Sequence, residues 1–194
     1  MAIDPKTGTG IVNGYQIAPG AYLLGAFLSG ADLVGANLAG ADLYRADLVG
    51  ANLQGAKLSR ADLRGANLKD AILRQANLQG ANLQGANLQV TNLSGANLEA
   101  ANLKDAYFYR ANLMGTNLTD AYLSGANLSF ASFMGADLEG ANLTGANLEL
   151  ASFGEANLFL ADLYGAKNID KAFFYGAFMD DRLRDYIKSQ GGKV

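Results

Sequence analysis

The side chains that carry most enzyme chemistry are thin in this sequence. It has no Cys and no His. That removes thiolate nucleophiles, disulfides and thiolate metal sites, together with the residue most often used as general base or metal ligand. Carboxylates remain, and Glu99 and Glu139 are the pair to weigh for acid–base work. Such a pair needs a cleft that holds one carboxyl protonated. Basic residues gather early, at Arg45, Lys57, Arg60, Arg64, Lys69 and Arg74, but Asp42, Asp47, Asp62 and Asp70 lie among them. Mixed signs at that density read as a solvated face rather than an anion site. No phosphate loop, metal-ligand spacing or dinucleotide fingerprint occurs. The triplets starting at Asn92, Asn117, Asn127 and Asn142 match the N-glycosylation sequon, but as by-products of a repeat.

The 194 residues suffice for one domain with a buried core. Gly is abundant at 24 and Pro scarce at 2, a balance that suits neither a helical bundle nor a disordered tail. The net charge of −3 argues against direct nucleic-acid binding, which needs a basic surface. The start, MAIDPKTGTG, lacks a basic and apolar leader. No apolar run approaches the roughly 20 residues of a membrane helix. A cytoplasmic protein without membrane contact is the expectation.

What must position any functional side chain is a repeat. Residues 21–165 run in 29 units of five, A-(N/D)-L-x-G, without insertion or deletion. The first position is Ala except at Thr91 and Thr116, and the third is Leu except at Phe108, Phe133 and Phe153. A period of five leaves no stripe on a helix, and on a flat strand it would flip each Leu to the opposite face. The chain must instead bend after each Ala–Leu pair. Gly at position five permits the corner, and Asn or Asp at position two tolerates unusual backbone and bonds locally. Ala and Leu then point to a common axis.

Units such as ADLVGANLAGADLYRADLVGANL at 31–53 resemble the pentapeptide-repeat family, over about three quarters of the chain. The lead-in GYQIAPGAYLLGA is similar to that of many cyanobacterial members. The resemblance implies an all-β fold, a right-handed quadrilateral parallel β-helix with four units per coil and residues 20 apart stacked. On that frame Phe133 and Phe153 stack, Phe108 lies on another side, and Asn77, Asn97 and Asn117 form an amide ladder. Glu99 and Glu139 fall two coils apart, roughly 10 Å at strand spacing. A convex rod offers them no cleft, so the chain reads as non-enzymatic, with no cofactor and no metal.

The expected organisation is a lead-in over 1–20, the β-helix over 21–165, two offset units over 166–179 and a helical cap over 180–194. Tyr15 and Ile17 read as an irregular first rung, with Tyr22, Leu24 and Phe27 covered by the N-terminal cap. In DDRLRDYIKSQGG, Asp180 or Asp181 caps a short helix, Gly191 ends it, and Leu183, Tyr186 and Ile187 make one apolar stripe. The segment holding Phe173, Phe174, Phe178 and Met179 is expected to fold back over Leu150 through Tyr164. Val90, Phe130 and Leu150 share one corner, with Arg110 between the first two, and are a candidate self-association patch. The function expected is a binding or scaffold role toward a protein partner, a homodimer included. The alternative implied by the family is a DNA-mimicking inhibitor of DNA gyrase of the quinolone-resistance type. Such members are strongly acidic dimers, some with projecting loops. Here residues 21–165 carry 13 acidic and 8 basic side chains and no loop.

Overall fold

The computed structural model describes residues 3–194. Its body is a β-helix solenoid in which parallel bridges join residues 20 apart, from Tyr22↔Asp42 through Asn147↔Lys167. Each coil therefore holds four pentapeptides, one per side. We number the sides first to fourth, with units that begin at Ala21, Ala26, Ala31 and Ala36. Each side contributes one bridged residue per coil rather than a strand. Two of five residues are used in turning the corner, which leaves too little extended chain for more.

The unit at 41–45 shows how the backbone is satisfied. Ala41 N donates to Leu38 O (3.0 Å), closing the corner turn. Asp42 N donates to Ala21 O (2.9 Å) in the coil before, and Leu43 N to Asp62 O (2.7 Å) in the coil after. Arg45 N reaches Arg64 O (3.0 Å). Only Tyr44 N has no backbone partner, and the Asp42 carboxylate accepts from it at 3.0 Å. Thus each N–H in the unit has an acceptor, as buried backbone requires. Asn77, Asn97 and Asn117 stack in the ladder expected, but without axial amide hydrogen bonds between them. Their Oδ1 atoms accept from the backbone N–H of Gln79, Glu99 and Thr119, each at 3.0 Å. The position-four N–H has no other acceptor, so it captures the side chain; an axial amide bond survives at Asn87 to Asn67 (3.1 Å).

Position five of the solenoid units lies in the left-handed region. Thirteen of the 29 corners between residues 25 and 165 hold a non-glycine residue there, including Val90 at φ 59°. Inside, the Leu residues are fully buried from Leu28 through Leu158. Phe133 and Phe153 stack at 4.9 Å and 6° between planes, and the column continues to Phe174 at 5.3 Å. Phe108 is buried on the second side. The two threonines at position one are satisfied: Thr91 Oγ1 donates to Leu68 O (2.8 Å) and Thr116 Oγ1 to Leu113 O (2.6 Å).

The N-terminal end is closed by a hairpin, not by the rung expected at Tyr15 and Ile17. Strand β1 (Gly10–Val12) pairs antiparallel with β2 (Tyr15–Ile17). Asn13 and Gly14 at φ 51° and 81° make the turn that favours such a pairing. Ile17 is buried, and Tyr15 Oη accepts from Phe27 N at 3.1 Å. Gly8 lies so close to the first coil that a Cβ there would meet Gly35 O at 2.6 Å. The hairpin crosses the open end without wrapping the outer wall, so Tyr22, Leu24 and Phe27 stay exposed, contrary to expectation.

At the other end, a 3-10 helix at Ile169–Lys171 inserts one residue. The next bridges, Ser152↔Phe173 and Asn157↔Phe178, span 21. The chain thereby extends the solenoid, burying Phe174 and Met179, instead of folding back over its wall. Leu150, Leu160 and Tyr164 consequently remain exposed. Helix α1 (Asp181–Ser189) follows, with Asp180 as N-cap accepting from Leu183 N at 2.9 Å.

Candidate functional site

The strained corners direct attention to one edge of the rod. Val90, Arg110, Phe130 and Leu150 occupy successive levels of the corner between the second and third sides, all with φ between 53° and 60°. A left-handed backbone crowds a Cβ against the next carbonyl, and a β-branched residue there is an outlier. The three apolar members are nonetheless 39–48% exposed. Tyr109 packs its ring edge-on to Phe130 at 5.4 Å. The Arg110 guanidinium lies over both rings, 5.2 Å from Tyr109 and 5.8 Å from Phe130. The residues expected to share a patch, Val90, Phe130 and Leu150, do lie on one edge.

Sequence reasoning missed the wall beside this edge. The third side forms one ladder, Ile72, Asn92, Asn112, Ser132, Ser152 and Phe173. From Thr91 through its last level at 172–176, this side carries no charge on positions one to four. Met114 and Met134 are both exposed at its centre, and Phe173 and Tyr175 are exposed at its top. The signal was present as a missing residue class in one of every four units, visible only once units are sorted by side. The other walls bear charges at some levels, Asp62, Arg64 and Lys104 on the first, Asp47, Lys69 and Glu149 on the second, Lys57, Glu99 and Glu139 on the fourth. The third side has the longest uncharged run; the longest on the second covers its three units between 86 and 130.

The early charged residues meet in a local ion pair and a cation–ring cluster. Arg45 and Arg64 come together around Tyr44, at 5.1 and 5.3 Å from its ring. Arg64 Nε donates to both oxygens of Asp62, at 2.8 and 3.0 Å. That bonding holds the Asp62 carboxyl below its ordinary range and raises Arg64. Among the described residues, no three His, Cys, Asp or Glu side chains are grouped to hold a metal. An open groove of about 450 Å³ lies between the last coil and α1, lined by Leu160, Tyr164, Arg182 and Tyr186. Leu183 and Ile187 are buried against the coil end, while Tyr186 is half-buried, its Oη accepting from Gly165 N at 2.9 Å. No helix among the described residues is long and apolar enough to cross a membrane.

Regular coils around a solid core define a β-solenoid whose residues at positions two, four and five face outward. The chain belongs to the pentapeptide-repeat family: the family model for pentapeptide repeats matches in eight copies spread over residues 20–181. HetL, a pentapeptide-repeat protein from the cyanobacterium Nostoc sp. PCC 7120 involved in heterocyst differentiation regulation, is 40% identical. That match covers 84% of this chain and 76% of HetL, with a TM-score of 0.36. Rfr23 from the cyanobacterium Cyanothece 51142 is 36% identical over 52% of this chain and 60% of its own, with a TM-score of 0.38. QnrB1, a plasmid-mediated fluoroquinolone resistance protein, is 19% identical over 90% and 96%, with a TM-score of 0.43. No curated protein matches the chain.

Proposed function

We propose that this is a non-enzymatic binding or scaffold protein, a right-handed four-sided rod that presents rigid walls to a protein partner in the cytoplasm and needs no cofactor. One observation carries the reading. Val90, Phe130 and Leu150 are displayed at corners whose left-handed backbone favours glycine. Side chains held at a conformational cost, exposed, and bordering an uncharged wall fit recognition better than they fit stability.

The test uses the intact chain as bait in an extract of its source organism, beside its Phe130→Gly and Met134→Glu variants. A partner protein retained by the wild type and lost from both folded variants is the expected result. Retention of nothing, or equal retention by all three, overturns the reading. The gyrase-inhibitor alternative finds less support, because acidic residues only modestly exceed basic ones along the rod. Unaltered DNA supercoiling by gyrase in the presence of the purified protein is the outcome expected.

A further inference from the structure

We infer that the third side binds a second copy of this chain, antiparallel, about a two-fold axis lying between the coils of Met114 and Met134. The inference rests on the binding role proposed above and names the partner. A two-fold contact places a surface against itself, so every column of the wall must be complementary to its own reverse. Turning the rod end for end about that axis exchanges levels and keeps columns. Along the corner, Val90 then meets Leu150, and Arg110 meets Phe130. These pairings set aliphatic on aliphatic and a guanidinium against a ring, the contact Arg110 already makes within its own chain at 5.8 Å. Along the wall, Met114 meets Met134.

The same register holds one level further out, where it was not used to choose the axis. Ile72 falls opposite Phe173, and Arg74 opposite Tyr175, which is 87% exposed. No like charges oppose each other along these columns. The match spans six levels, five strand spacings or about 24 Å. The wall's centre shares one feature of an interface core, the depletion of charged residues, and exposes Met114 and Met134 among Asn and Ser side chains.

Cysteine cross-linking reads the register directly, because the chain has none of its own. In the antiparallel pair, position 90 of one copy lies beside position 150 of the other. The two copies of position 90 are three levels apart, about 14 Å, beyond the roughly 7 Å Cα reach of a disulfide. Mixing the Val90→Cys and Leu150→Cys variants should therefore give an oxidised dimer that neither variant forms alone. In sedimentation equilibrium the wild type should associate to a dimer, little affected by raising salt from about 0.1 to 1 M. Met134→Glu should weaken that association about tenfold or more, with a circular dichroism spectrum unchanged. Phe130→Gly, which relieves the corner, should weaken it while melting no lower than the wild type.

A wild type that stays monomeric at about 1 mM, the weak limit for a specific contact, overturns the inference. So does cross-linking of either cysteine variant with itself as fast as in the mixture. If the protein is monomeric yet a different protein is lost from extract pull-downs on Met134→Glu substitution, the wall binds another partner: the self-pairing is wrong and the binding function stands.

Discussion

Val90 has φ 59° on a corner with a branched Cβ, a conformation that costs an ordinary side chain about 1–2 kcal/mol. Val90→Gly should raise stability by about 1 kcal/mol, less what the glycine loses in chain entropy, read as a higher urea midpoint. A lower midpoint would mean that Val90 contributes packing the geometry does not reveal. The inside-outside assignment is tested on the same coil. Leu98 is fully buried, and Leu98→Asp should cost several kcal/mol or prevent folding. Asn97→Asp keeps the oxygen that accepts from Glu99 N and should be nearly neutral. Asp62 supplies a pH signature. Its carboxyl titrates below its ordinary value because Arg64 donates to it. The stabilisation is complete above the pKa of an unfolded Asp and is lost as pH falls through the lower folded value. Asp62→Asn should thus lower stability at pH 7 by under about 1 kcal/mol, since the pair is partly exposed, and the deficit should shrink as pH falls through the lowered folded value.

The secondary elements sit at the ends, and both ends protect the core. Leu158 and Leu163 lie beneath the last coil, buried with Leu183 and Ile187 above. A nine-residue helix such as α1 is too short to persist undocked. Removing residues 180–194 should leave the β-rich spectrum, because each coil depends mainly on its neighbours. It should also promote association through the bared end, and a truncated chain that sediments like the intact one would refute the lid role. How much of this the sequence discloses depends on period. The five-residue unit announces the coil and the inward Leu column, whereas the Phe133–Phe153 stack follows only once the family resemblance supplies four units per coil. The 10–17 hairpin is less legible, because it departs from the period and Asn13-Gly14 is its only strong cue. The amide positions are readable but their hydrogen bonds are not. Choosing between axial and local partners requires knowing that the position-four N–H is left without a backbone acceptor. The neutral run of the third side is hidden for a different reason: it belongs to every fourth unit and disappears when the chain is read straight through.

For the whole molecule, the absence of any insertion between 21 and 165 keeps side chains 20 apart in line over seven coils. The rod consequently behaves like a dial with four stops. Excising residues 51–70 removes one full turn, so every later residue keeps its compass bearing and the rod is only shorter. Excising 66–70 alone advances the remainder by a quarter turn. Val90, Phe130 and Leu150 would then swing to the neighbouring edge relative to the N-terminal hairpin, with their mutual spacing intact. A pairing that uses only the levels above residue 72 should survive both deletions, whereas any partner that also grips the N-terminal end should tolerate the first and lose its hold after the second. Length and bearing are thus separately adjustable in this chain, in steps of twenty residues and of five.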